Sequence, residues 1–392
     1  MYKVDNDFMK DFSSYIGIIG GGIAGLTAGC ILKSHGINTI IFERASQISE
    51  YGAGISISAN GLKIFDAMGL TNSLTNSSFT PSETNFQYLD SILKRLDIES
   101  LVTSSRKEVL HVLFSEYSRL GGEILYAHEH VNIDINSCEI TFSNNTKYKV
   151  SHILACDGIR SKVRDMYFPA SGKPLYSGYS AWRGIGRSES KTIQFHFGPG
   201  AHIVTYPINK AGRSSFVGII KNKEVYEDSW KLKGSKEAML SDFQSFNTDI
   251  FNMIDSSEDI YKWGIFIRPP LKSMYVQSIT LIGDAAHPMV PFLGQGACMA
   301  IEDAYTFATL AATLDCDFNK VQTLYQKIRS KRNNHVQATS MLQGKLNHIK
   351  NPLGIYMRNL ILKHTPVVNM RTKKIWGYDA VREVKKALGR LS

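Results

Sequence analysis

Between Tyr15 and Glu43 the chain runs Tyr15-Ile-Gly-Ile-Ile, then Gly20-Gly-Gly-Ile-Ala-Gly25, then an apolar stretch to about Ser34. Gly36 follows, and a second apolar run, Thr39-Ile-Ile-Phe, ends on Glu43. This order predicts strand, turn, helix and strand within about thirty residues, the βαβ context in which GxGxxG carries meaning. Each glycine has its own reason. Gly20 permits the tight turn, Gly22 lets a pyrophosphate approach the backbone, and Gly25 lets the helix close on the strand. Unpaired N–H groups and the positive helix end would hold the phosphates. Glu43, at the end of the second strand, is placed to accept from ribose hydroxyls, and its charge disfavours a 2′-phosphate. An ADP-containing ligand is therefore expected; the pattern leaves FAD and NAD both open.

The same stretch excludes a membrane span. Tyr15 to Leu32 is free of charge but holds six glycines, too little apolar bulk for a spanning helix. The residues before it mix acids and bases, unlike a signal peptide. Five cysteines, scattered without a CxxC pair, fit neither a disulfide framework nor a metal site, so no metal and a cytoplasmic setting are expected. A chain of 392 residues has room for two domains. Its net charge of +10 is concentrated: residues 321–392 hold 15 Lys/Arg against Asp379 and Glu383. Such a tail can be a solvated helical face, or can attract an anionic membrane surface or a phosphorylated cofactor. No aromatic-interleaved basic motif accompanies it, so nucleic acid is not expected as a partner.

The periodicity predicts a helix near 106–120 that stops at Gly121-Gly122. Alternating, aromatic-rich runs at Tyr179–Ile185, Thr192–Phe197, Ile203–Tyr206 and Ser215–Ile220 read as antiparallel strands. A single helix is expected from Lys236 to about Ile254, a strand from Ile260 to Ile267, and a buried strand at Ser278–Gly283. Helices follow near 294–313 and 320–348. Asn351-Pro352 and Thr365-Pro366 each pair an N-cap with a proline, predicting a helix to about His364 and a last one from 366 to 390. That last helix carries Val381, Val384, Leu388 and Leu391 on one stripe.

Two further motifs follow in order. One is Ala155-Cys-Asp157-Gly158-Ile-Arg160-Ser-Lys-Val-Arg164. The other is Gly283-Asp284-Ala-Ala-His287-Pro288-Met-Val-Pro291-Phe292-Leu-Gly294-Gln295-Gly296-Ala297, continuing to Glu302-Asp303. With GxGxxG ahead of them, the chain closely resembles the class A FAD-dependent monooxygenases of the p-hydroxybenzoate hydroxylase fold. Arg106 matches that family's helix-start arginine, and Tyr325, Arg329, Arg332 and Gln337 its long-helix pattern, so the resemblance spans about 15–345. It implies an α/β fold: a Rossmann-like FAD-binding domain with an interleaved mixed or antiparallel substrate-binding sheet and C-terminal helices. The expected division is 1–78, 99–172 and 268–325 for FAD, 79–98 and 173–267 for substrate, and 326–392 as a helical segment.

The resemblance makes FAD the cofactor and NADPH or NADH a transient reductant without a domain of its own. It assigns Gly20, Gly22, Ala24, Gly25, Glu43, Arg44, Gly54, Arg106, Asp157, Asp284, Pro291, Gly294, Gln295, Gly296 and Ala297 to the cofactor. Asp284 is expected beside the ribityl chain, and Gly294-Gln295-Gly296 to aim backbone N–H groups at the flavin's pyrimidine edge. Asp157 would anchor its own loop. Arg160 or Arg164 could meet a nicotinamide cofactor's phosphate, although an interdomain salt bridge suits Arg164 equally. His287 reads as a packing or hydrogen-bonding residue.

Tyr179-Ser-Ala-Trp182-Arg183-Gly184 and His202-Ile-Val-Thr-Tyr206-Pro207 resemble the salicylate-hydroxylase-like branch. Trp182, Arg183, His202, Tyr206 and Phe292 are accordingly candidates for the substrate pocket. Alternation puts Tyr179, Ala181 and Arg183 on one strand face and Ser180 and Trp182 on the other, without saying which looks inward. No catalytic residue declares itself. The implied reaction is reduction of flavin by NAD(P)H, addition of dioxygen at C4a, and oxygen transfer to an electron-rich carbon of an aromatic or polycyclic phenol or enol. The helices beyond 352 resemble those of tetracycline-inactivating flavin monooxygenases, with the last stripe expected beside or over the substrate mouth. A small-ring hydroxylase of salicylate, hydroxynicotinate or urate type, or an oxidase or reductase without oxygen transfer, are the alternatives. A monomer or dimer is expected.

Overall fold

A computed structural model describes residues 11–47, 54–222 and 232–390. Leu391, one member of the predicted stripe, lies outside the described residues.

The first sheet has six strands in the order Tyr275–Val276, Ile279–Leu281, His152–Ala155, Ile16–Ile19, Thr39–Phe42 and Glu123–Leu125. Only the Tyr275–Val276 edge is antiparallel. The four central strands are buried at every position, and for that reason their sequences are continuous apolar runs instead of alternating ones. Helix Ile23–Ser34, leaving the glycine turn, packs against helices Arg106–Arg119 and Gly296–Thr313. A three-stranded sheet, His130–Asp134, Glu139–Phe142 and Lys147–Lys149, sets Ile140 and Phe142 into the same core as Phe42.

The second sheet has seven strands: Ile260–Ile267, Leu175–Arg187, Arg213–Lys221, Ala201–Pro207, Ile193–Gly198, Glu83–Tyr88 and Ser91–Asp97. All neighbours are antiparallel except Ile193–Gly198 with Glu83–Tyr88. A two-stranded ribbon, Gly54–Ser58 with Leu101–Ser105, lies between the two sheets: Gly54 donates to Ser215 Oγ and Thr103 to the carbonyl of Pro207. The mixed α/β architecture expected from the sequence is present.

Two long helices expected from periodicity are each divided. The stretch from Lys236 forms Lys236–Asp242 and Thr248–Asp255, because the Asn247 side chain accepts from the Ile250 N–H at 3.3 Å and starts a new helix. The last one forms Val367–Trp376 and Ala380–Leu388, with Asp379 accepting from Arg382 N at 2.9 Å. Helical spacing survives such breaks, whereas a capping side chain resets the chain direction. By contrast, helix Pro352–His364 starts as expected, with Asn351 accepting from Gly354 N at 2.6 Å. The terminal stripe does not lie over the cavity mouth. Ala380 and Val384 bury against helices Gly296–Thr313, Ala59–Ala67 and Phe318–Asn347.

Candidate active site

A cavity of about 500 Å³ lies between the first sheet, where its strands give way to the glycine turn and the Cys156–Gly158 segment, and the inner face of the second sheet. One wall is made chiefly of backbone. Gly20 has φ of 109° and a Cβ there would meet the Cys156 carbonyl at 2.6 Å; a Cβ at Gly25 would fall 2.0 Å from the Gly20 carbonyl. These two glycines bring helix and strand together without touching the cavity. Gly22 and Gly296 differ: nothing stands within 4 Å of the missing Cβ, and both line the cavity with Ala24 and Ala297. Each is at the start of a helix, where the first N–H groups have no partner within the helix. The Gln295 side chain faces the other way, holding Asn60 Nδ2 and Ser58 Oγ at 3.0 Å each, so at this position it is the backbone that is offered.

Two carboxylates belong to this side, Glu43 outside the cavity at the glycine turn and Asp284 on the cavity itself. Glu43 ends its strand with both carboxylate oxygens anchored, on Gly21 N at 2.8 Å and Ala45 N at 2.9 Å. Asp284 is surrounded by protein yet open to the cavity. Burial pushes its carboxyl up, while His287 and Arg106 pull it back towards the ionised form. Gly54, Arg106, Pro291 and Gly294 also border the cavity. Two helix starts rich in N–H donors, two carboxylates suited to sugar and ribityl hydroxyls, and a glycine-cleared approach are what FAD requires. The residues fit that cofactor.

Behind this wall stands a buried ionic cluster. Asp303 accepts from Gly283 N at 3.0 Å, from Arg329 Nε at 2.7 Å and from Asn333 Nδ2 at 3.2 Å, and pairs with His287. Burial works to raise its pKa, but His287 and Arg329 overcome it and hold the carboxyl well below the usual range. Glu302 accepts from Arg329 Nη1 at 2.6 Å, Arg332 Nη2 at 2.9 Å and Asn60 Nδ2 at 2.6 Å. Arg332 also reaches the Ile375 carbonyl at 2.8 Å. The cluster thus clamps helix Gly296–Thr313 to helix Phe318–Asn347 and braces the Gly283-Asp284 turn. His287 takes the hydrogen-bonding role read from the sequence.

The opposite wall is made of side chains. Strand Leu175–Arg187 turns Arg183 to the cavity, with its guanidinium 5.5 Å from the Trp263 ring and 3.3 Å from the Gly54 carbonyl. Tyr206 and Phe292 join it, and Phe292 packs edge-on to Tyr179 at 5.1 Å. His202 stacks on Phe195 at 5.3 Å and its Nδ1 lies 3.2 Å from His348 Nε2. Burial, then the neighbouring His348, drives the His202 pKa well below its ordinary value, so the ring is neutral. Helix Val367–Trp376 closes the cavity with Val368, Arg371, Thr372 and Trp376, joined by Gln343. The sequence motifs missed these last residues. All but Gln343 lie beyond the span of the resemblance, and their pattern is that of any half-buried helix.

Several candidates from the sequence reading do not line the cavity. Trp182 faces away from the cavity: its indole donates to Asp242 at 2.8 Å and its ring packs in the cluster with Phe243 on the reverse side of the sheet. Strand alternation requires this once Arg183 points inward. Arg164 is fully buried, donating to the carbonyls of Ala286 at 2.8 Å and Pro269 at 2.7 Å, and cannot meet a passing cofactor. Burial lowers its pKa to about 10, with Arg268 adding to the effect. Asp157 does not line the cavity. It accepts from Val163 N at 3.3 Å and anchors its own loop, with burial raising its pKa to about 6. Arg160 and Arg44 are exposed outside the cavity.

Residues 14–340 match the family model described as FAD binding domain. The 3-amino-4-hydroxybenzoate 2-monooxygenase PtnB3 of Streptomyces platensis is 28% identical over 356 residues, covering 85% of this chain and 88% of that protein. In structure, Klebsiella pneumoniae HpxO complexed with FAD and uric acid is similar at a TM-score of 0.81 and 18% identity, covering 93% of this chain and 96% of that one. A salicylate hydroxylase substrate complex is similar at 0.80 and 23%, covering 96% and 98%. The match over residues 14–340, with a cavity whose residues fit FAD, places the chain in the FAD binding domain family, as a flavin-dependent monooxygenase whose cofactor is FAD.

Proposed function

We propose that the protein hydroxylates an electron-rich phenolic or enolic ring, with NADH or NADPH as reductant and dioxygen as the source of oxygen. The observation that carries this reading is one cavity with two unlike walls, a backbone wall suited to FAD and an aromatic wall bearing Arg183 and His202. Bound FAD would supply hydride acceptance and oxygen activation, which no side chain can perform. The chain does the rest. N–H groups at the start of helix Gly296–Thr313 favour negative charge on the ring edge they meet. Phe195, Tyr206, Phe292 and Trp376 keep water from the reacting faces. Arg183 attracts an ionised oxygen of the substrate, and neutral His202, its ring nitrogens facing His348 and Asn347, adds an uncharged ring to the wall. Arg160, exposed just past Gly158, is the remaining candidate for a nicotinamide phosphate.

Two substrate classes have separate support. The wall formed by helix Val367–Trp376 favours a large polycycle of tetracycline type, since C-terminal helices then flank the ring system. The relative acting on 3-amino-4-hydroxybenzoate favours a small phenolic acid, for which Arg183 would be the carboxylate partner. The experiment is aerobic incubation of holoenzyme and NADPH with tetracycline, 3-amino-4-hydroxybenzoate and salicylate in parallel. A product carrying one added oxygen, formed in step with NADPH consumption, is the expected result. Stoichiometric peroxide without oxygenated product from any of them would favour an oxidase instead.

A further inference from the structure

Helices Pro352–His364 and Val367–Trp376 bury one side each and leave the other uncovered. The first anchors Ile355 and Arg358, the guanidinium lying 4.7 Å from the Phe197 ring centroid. Its outer stripe is Leu353, Tyr356, Met357, Leu360 and Ile361, the spacing of one helix face. The second buries Val368 and Ile375 and exposes Val367 and Met370. Leu353 is 72%, Tyr356 62% and Met370 66% exposed. Single exposed apolar residues are ordinary, but seven on two consecutive helices, all on the outward stripes, are not.

Each stripe ends on a lysine. Lys363 and Lys374 continue the two faces at helical spacing, and both are exposed. Residues 350–378 contain six Lys/Arg and no Asp or Glu. An apolar face rimmed by cations is complementary to a surface that is apolar beneath and anionic on top. A second copy of this chain would be a poor occupant, since a two-fold contact sets like charges against each other. Among the described residues no helix is long and apolar enough to cross a membrane, so the contact would be with the surface.

We propose that this face docks the protein on an anionic lipid bilayer. Leucine, isoleucine and methionine side chains enter the acyl boundary, Tyr356 sits at the headgroups and the lysines pair with lipid phosphates. Helix Val367–Trp376 shares its other side with the cavity, and Asn369 both lines the cavity and reaches the surface. Docking therefore places the cavity one helix away from the lipid, where an apolar ring compound concentrates. The contact itself does not depend on what the cavity binds.

Full-length holoprotein is sedimented with vesicles of phosphatidylcholine alone, or with about a third phosphatidylglycerol. It should pellet with the anionic vesicles, stay in solution with the neutral ones, and be released by added salt. Leu353→Asp with Ile361→Asp should weaken binding more than about tenfold. Lys363→Glu with Lys374→Glu should do the same, with bound-flavin absorbance retained in both variants as the check on folding. Failure of the holoprotein to pellet with anionic vesicles, or undiminished pelleting of both variants, would overturn the proposal. A concentration-dependent dimer that Leu353→Asp dissociates would also overturn it, by giving the face to a second copy.

Discussion

The two walls of the cavity are built on opposite principles. The cofactor wall presents mainly backbone: Gly22, Gly296 and the helix starts behind them, with Asp284 as its fixed charge and Glu43 holding the glycine turn from outside the cavity. The facing wall presents side chains from strands Leu175–Arg187 and Ala201–Pro207, the Phe292 turn and helix Val367–Trp376. A backbone wall needs glycine at set spacings and has little freedom to vary. A side-chain wall can be assembled from distant segments in many ways. A side chain at Gly22 or Gly296 would enter the space left for a ligand, whereas the second wall can be tuned to a substrate.

That contrast can be broken at its base. Arg329→Met removes the cation shared by Glu302 and Asp303 and leaves two buried carboxylates short of a partner, a loss of about 3–5 kcal/mol. Urea unfolding should show it, and flavin should be lost with the fold because the Gly283 turn rests on Asp303. Gly22→Val separates cofactor from fold. No protein atom lies within 4 Å of the new Cβ, so the chain should stay folded while FAD binding falls about a hundredfold, some 2.7 kcal/mol. Circular dichroism beside flavin absorbance would read both. Should flavin content be unchanged, the diphosphate does not lie at this turn.

On the other wall, Arg183→Met should leave flavin content unchanged and raise KM for an anionic substrate about tenfold or more, with NADPH consumption less tightly coupled to product. Trp182→Phe makes the smallest change. It deletes the indole donor to Asp242 on the reverse face, so stability should fall by about 1 kcal/mol while KM stays as it was. A KM shift from Trp182→Phe as large as that from Arg183→Met would mean the strand faces are not distinguished as the structure has them.

Much of the cofactor wall was legible beforehand. Gly22, Ala24, Arg106, Asp284 and Gly296 meet in the cavity because their motifs encode close backbone approach, and such an approach leaves the same trace in any chain. Arg164 shows the limit. Its motif says that an arginine belongs there, but only the three-dimensional packing shows that it is spent on the carbonyls of Pro269, Ala285 and Ala286. The undivided helices predicted over 236–254 and 366–390 failed for a related reason: Asn247 and Asp379 could be read as surface polar residues until their side chains were seen to cap.

Sequence alone determined the βαβ start and the order of the three motifs, since local spacing encodes backbone geometry; the choice of FAD over NAD came from the resemblance those motifs carry together. Tertiary structure decided that Arg183 and not Trp182 faces the cavity, that helix Val367–Trp376 and not the terminal stripe closes it, and that Glu302, Asp303, Arg329 and Arg332 form one clamp. Those outcomes depend on which faces of distant segments meet. A face becomes inner or outer only through its partner, and strand period or helix spacing supplies the face without naming that partner.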